Sequence, residues 1–146
     1  IKMTSISLAK AKEIIDNILQ EGIKKNMQPL SVVVLDTGGN IKAFERSDGA
    51  SPGRFKLADG KAHAAIMMGI PSSAIMQRAE QQAYFVNALS VSFNGRFTPV
   101  SGGVLVKDDN DITIGAVGVT GDTSENDTIA AVAGIKLTGF NFSAWA

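Results

Sequence analysis

Apolar residues recur at helical spacing from Leu8 through Ala11, Ile14, Ile15, Ile18, Leu19 and Ile23, while Lys10, Lys12, Glu13, Asp16 and Gln20 take the opposite face. That period predicts an amphipathic helix, with Ser7 placed to cap it and Pro29 to stop any continuation. The pattern then changes. Ser31-Val-Val-Val-Leu-Asp36 is β-branched and apolar without alternation, as in a strand covered on both faces. Thr37-Gly-Gly-Asn40 reads as a tight turn and Ile41 to Arg46 as the strand that pairs back on the first.

Ser51-Pro52 has the form of a helix start, Ser as cap and Pro at the first helical position, which predicts a helix over Pro52 to Met68. Gly60 inside it weakens the helix by roughly 1 kcal/mol relative to alanine, which predicts a close neighbour at that point. Pro71 and Ser72-Ser73 open a further predicted helix from Ala74 to Leu89. Asn94-Gly95, Pro99 and Gly102-Gly103 punctuate the way into a strand, Gly103 to Lys107. Asp108-Asp-Asn-Asp111 is then a turn and Ile112 to Val119 the partner strand.

A glycine-punctuated loop comes next, and Ser124, three residues before Asp127, has the spacing of a capping box for a last helix carrying Ile129, Val132, Ala133, Lys136, Leu137 and Phe140. Phe142 and Trp145 are expected as exposed or partner-covered aromatics. The order helix, hairpin, helix, helix, hairpin, helix predicts an antiparallel sheet with helices on both faces, an α+β fold built as a three-layer α/β/α sandwich.

With 146 residues, 45% of them hydrophobic, the chain suits a single domain spanning 1–146 with a real core. Its formal net charge is zero and its basic residues are scattered, so it lacks the electrostatic footprint of a nucleic-acid binder. Cysteine is absent, which excludes disulfides, thiolate chemistry and Cys-based metal sites. No run of ~18 apolar residues exists, so no membrane span is expected. The chain begins at Ile1, and Met3 reads either as a native start behind a remnant or as a residue left near the N-terminus once an upstream segment has been removed. The expected compartment is the cytoplasm, with secretion left open.

Val34-Leu-Asp-Thr-Gly-Gly-Asn40, Asp48-Gly-Ala50, Lys61-Ala-His-Ala-Ala65, Ser101-Gly-Gly-Val104, Ile114-Gly-Ala-Val-Gly-Val-Thr-Gly121 and Glu125-Asn-Asp127 succeed one another in an order and spacing that resemble the GlcG/HbpS-like family, also called the haem-degrading domain family. The resemblance runs from about Ser7 to Phe140. It implies a profilin-like fold with a five-stranded antiparallel sheet, and frequently a homo-oligomer such as an octamer. For some members it implies haem or corrinoid-related binding, and for others a place in small-molecule catabolic pathways. Members that hold haem through histidine are expected to use one nearer the N-terminus, whereas His63 is the sole histidine here and stands where the family more usually has threonine.

His63 is also the only side chain whose unperturbed pKa lies near neutrality, as a proton shuttle or axial ligand requires. Lys61, two residues earlier, lies about 200° round the helix and does not share its face. Lys61 is left to pair with Asp36, Asp48 or Asp127, or to bind an anionic group. Arg46 suits a carboxylate through its planar fork, and Arg54 and Arg96 carry the same choice between ligand and ion pair. Glu125 and Asp127 are the candidate carboxylate partners, and the Gly102-Gly103 strand entrance faces the Lys61 helix as the other wall of an expected pocket.

Met67, Met68 and Met76 read as core filling. Asp108 to Asp111 lacks the glycine and distal glutamate of a calcium loop, no nucleophile–base–orienter set is visible, and the glycines of 115–121 lack a βαβ setting for a dinucleotide. No metal site is expected. Two functions are in play. One is an oligomeric haem- or tetrapyrrole-binding protein with His63 as ligand and Arg46, Gly102 and Gly103 at the cofactor. The other is a small catabolic enzyme or accessory acting on an organic acid, with Arg46, Lys61 or His63 as anion binder or acid/base and Glu125 or Asp127 as partner.

Overall fold

The computed structural model describes residues 4–146; Ile1 to Met3, and with them the reading of Met3 as a start, lie outside the described residues. Helix α1 (Leu8–Lys24) is followed by the hairpin β1 (Ser31–Leu35) and β2 (Ile41–Arg46), then by α2 (Arg54–Met68), α3 (Ser72–Gln81) and α4 (Ala83–Ser92). The hairpin β3 (Gly103–Lys107) and β4 (Thr113–Thr120), helix α5 (Ser124–Leu137) and a short β5 (Asn141–Ser143) complete the chain. The strands form one sheet in the order β2-β1-β4-β3-β5 with every neighbour antiparallel.

Alternation along the strands divides the core. Val32, Val34, Val104, Val106, Val117 and Val119 face α1 and α5, where Ile14, Ile15, Ile18 and Ile135 meet them. Val33, Leu35, Leu105 and Ala116 face the other way, onto Ala58, Ala62 and Ala65 of α2. Because β1 is buried on both faces, its unbroken apolar run is explained.

The α2 side is packed at unusually short range. A Cβ on Gly118 would stand 1.9 Å from the Ala58 carbonyl oxygen, and one on Gly103 would stand 2.3 Å from that of Lys61. Glycine there lets the helix backbone rest on the strands. Gly60 has the close neighbour its position predicted, the Thr98 hydroxyl, which lies 2.1 Å from where a Cβ would be.

Four local expectations are corrected. Helix α2 starts at Arg54 rather than Pro52: its N-cap is Gly53 with no side-chain bond, and Ser51 supplies only a turn carbonyl to the Arg54 amide. The helix expected over Ala74 to Leu89 is two helices, broken at Gln82 with φ −137°. Ile75, Ala79, Val86 and Leu89 keep the spacing of one straight helix, so periodicity conceals the break; the two short helices instead fold against each other around Ala64 and Phe97. The cap of α5 is Thr123, whose hydroxyl accepts from the Asn126 amide at 3.1 Å, not Ser124. Finally, the element reading passed over β5, on which Phe142 is half-buried against the core, while Trp145 stays exposed.

Candidate functional site

Helix α2 carries the two side chains with the most chemistry, and sends them in different directions. Lys61 Nζ donates to the Val119 carbonyl at 3.0 Å and to Asp127 Oδ2 at 3.1 Å, while Asp127 Oδ1 accepts from the Asp122 amide at 2.9 Å. Both side chains are buried, and the pair pins α2 to β4 and to the first turn of α5. Burial pulls the Lys61 pKa down and pushes that of Asp127 up, and the attraction between them opposes both shifts. The hydrogen bonds on both partners are those of a charged pair.

His63 sits on another face of α2, where its Nδ1 lies 2.7 Å from the Arg96 carbonyl oxygen. A carbonyl can only accept, so Nδ1 carries the proton and Nε2 keeps its lone pair. Nε2 has no hydrogen-bond partner among the described residues; Gly39, Met67 and Phe93 surround the ring. Desolvation lowers the His63 pKa, the Arg96 carbonyl bond opposes that, the Arg96 charge lowers it further and Asp59 raises it.

The carbonyl that orients the ring is itself held. Arg96 grips Asp59 through Nε at 2.7 Å and Nη2 at 2.8 Å, and Nη2 also donates to the Gly39 carbonyl at 2.9 Å. The bond to Asp59 raises the Arg96 pKa. Beside this network opens a cleft of about 350 Å³ lined by Phe55, Lys56, Asp59, Asn94, Gly95 and Arg96.

Of the residues singled out from sequence, Lys61, Asp127, Gly102 and Gly103 come together, and His63, Arg46 and Glu125 do not join them. Arg46 is exposed and donates to the Ala50 carbonyl at 2.6 Å, closing its own loop. Glu125 is exposed in the first turn of α5. The pocket expected between the Lys61 helix and the Gly102-Gly103 strand is closed by direct packing: a Cβ on Gly102 would stand 2.9 Å from Lys61 Nζ, and Gly103 lies on the Lys61 carbonyl. The sequence leaves Arg96 with a choice between ligand and ion pair and does not single out Asp59. The available signal was the four-residue spacing of Asp59 and His63, which puts both on one helix face.

The chain matches the family model described as haem degrading protein, HbpS-like, over residues 6–136. It is similar to the crystal structure of a double mutant of Streptomyces reticuli HbpS at 26% identity, with 95% of this chain and 90% of that one covered and a TM-score of 0.79. The Klebsiella pneumoniae protein ORFY is similar at 25% identity over 94% of this chain and 93% of that one, with a TM-score of 0.83. PduOC, solved as a haem complex, shares the fold at 20% identity over 94% of this chain and 97% of that one, TM-score 0.82. No curated protein matches the chain.

Proposed function

This chain belongs to the HbpS-like family of haem-degrading proteins, and from that premise we propose that it is an oligomeric small-molecule-binding protein whose ligand is haem or a related tetrapyrrole, with His63 Nε2 as the ligand to the metal. The observation that carries this reading is the tautomer of His63: Nδ1–H is tied to the Arg96 carbonyl and Nε2 is left with an unshared pair. That is the arrangement by which proteins orient a metal-binding imidazole and raise its basicity. The donor set therefore fits a group that needs one axial nitrogen, and because the ring is buried beside Gly39 and Met67 and does not itself line the cleft, binding requires these neighbours to give way.

The neighbouring cleft supplies two further requirements. Phe55 offers apolar surface, and Lys56, with no acid within 4.0 Å among the described residues, offers positive charge for the carboxylate arms of a tetrapyrrole. The organic-acid reading that joined Arg46, Lys61 and His63 in one site has no such support, since the three side chains bond to separate partners. The uncharged helix α4, which exposes Tyr84 and Val91, supports self-association.

The test is a haem titration followed by absorption spectroscopy. A Soret shift at micromolar haem is expected for the wild type, weakened at least ~10-fold in His63→Ala, in line with loss of a metal ligand or its orienting shell. Absence of a shift in the wild type overturns haem binding; an unchanged shift in His63→Ala removes His63 from it.

A further inference from the structure

On the α2 side of the sheet, one row of side chains is polar where the next is not. Register sets Arg46 of β2, Ser31 of β1 and Thr120 of β4 side by side, one pleat repeat beyond the row Phe44, Val33 and Gly118 on which α2 lies. Arg54, the first residue of α2, reaches over the polar row and donates from Nη1 to Thr120 Oγ1 at 3.0 Å. Ser31 is fully buried, and its Oγ has no hydrogen-bond partner among the described residues.

Among the described residues, the groups around this row have more protons to give than acceptors to receive them. Thr120 Oγ1 accepts from Arg54, and its own proton finds no acceptor among the described residues. Arg46 uses only Nη1, on the Ala50 carbonyl. Neither arginine has a carboxylate within 4.0 Å among the described residues. Helix α2 begins without a side-chain cap and with no acid in its first turn; the Arg54 amide is taken by the Ser51 carbonyl, and the amides after it and the helix dipole add donors at the same end. Buried polar groups are ordinarily completed by a partner; Ser31 Oγ can give or take a hydrogen bond, while the Thr120 proton and the arginine N–H groups beside it can only give one, so an acceptor is the partner that completes them together.

We propose that this row binds the carboxylate of a small organic acid, one oxygen received by Arg54 and the start of α2 and the other by the hydroxyls of Ser31 and Thr120, with Arg46 at the rim. The charged guanidinium selects an anion, and with the two hydroxyls beside it the row offers donors for the two oxygens of a carboxylate rather than the four of a phosphate. The site does not involve His63 and stands or falls apart from the haem reading.

The full chain is titrated with sodium acetate, acetamide and inorganic phosphate at constant ionic strength, with backbone amide shifts followed by NMR. Acetate is expected to move the amides of Ser31, Thr120 and Arg54 to Lys56 saturably, acetamide to leave them still, and phosphate to bind more weakly than acetate. Ser31→Ala is expected to weaken acetate at least ~3-fold and Arg54→Gln at least ~10-fold, both with the Soret response to haem unchanged. Wild-type affinity in Ser31→Ala, an equal response to acetamide, tighter binding of phosphate, or unsaturable shifts overturns the proposal. Ser31→Ala removes one unbonded oxygen and keeps the test decisive if Arg54→Gln does not fold.

Discussion

Taking Lys61 and Asp127 out of water costs each charge its hydration, and their contact with one another and with the Val119 carbonyl and Asp122 amide restores part of it. Removing one partner leaves the other buried and unpaired. Asp127→Leu and Lys61→Met are therefore each expected to lower the unfolding free energy in urea by about 3–5 kcal/mol, whereas the double variant Lys61→Met/Asp127→Leu recovers to within about 2 kcal/mol of wild type. Single costs that simply add would show that the two side chains act independently. Three acids are open to Lys61 in the sequence, and the choice depends on where β4 delivers the first turn of α5, at the end of the sheet that Lys61 reaches from the opposite face.

His63 gives a pH dependence whose direction is set by its depressed pKa. The unfolded chain takes a proton near pH 6.5 while the folded ring resists it, so the contribution of His63 is present above ~6.5 and is lost as pH falls through the folded pKa. Arg96 and Asp59 face the ring, and the bond to Asp59 raises the Arg96 pKa, so the guanidinium stays charged across that range. Asp127, with a raised pKa, acts in the opposite sense at lower pH. The informative quantity is thus the difference between wild type and His63→Gln in urea unfolding at pH 7 and pH 5: the wild type is expected to lose more stability than the variant over that interval.

At the scale of elements, the two errors at helix starts have one cause. Ser51-Pro52 and Ser124 each have the form of a cap, but the helices begin one or two residues away, after Gly53 and after Thr123, and Thr123 offers the same hydroxyl chemistry one residue earlier than Ser124. The distinction is measurable. Thr123→Ala is expected to cost about 1 kcal/mol in thermal or urea unfolding, and Ser124→Ala within about 0.5 kcal/mol of nothing. The glycines of β3 and β4 were legible as sites of close approach without revealing what approaches. Since the carbonyl of Ala58 occupies the space above Gly118, Gly118→Ala must lift α2 off the sheet, at an expected cost of about 3 kcal/mol or more by chemical denaturation. A tolerated alanine there would mean that α2 is not seated as described.

Over the whole molecule, the three layers were readable because β1 is apolar on both faces and the amphipathic α1 needs a sheet to cover. Less readable was the edge strand β5, three residues long and too short to show alternation, though the family resemblance called for five strands. The α3–α4 pair was hidden for a different reason, its break leaving the apolar period intact. That pair also bears on assembly. Helix α4 contains no charged residue, and of its ten residues only Val86 is buried, with Tyr84 74% and Val91 78% exposed seven residues apart on one face. A chain with a core of its own has no internal use for that face, and water disfavours leaving it bare. Self-association through α4 is therefore expected: light scattering should return a mass above the 15.3 kDa of one chain, and Val91→Glu combined with Tyr84→Lys should lower it with the far-UV spectrum unchanged. A wild-type mass of one chain would refute self-association, and an unaltered assembly in the double variant would put the contact elsewhere.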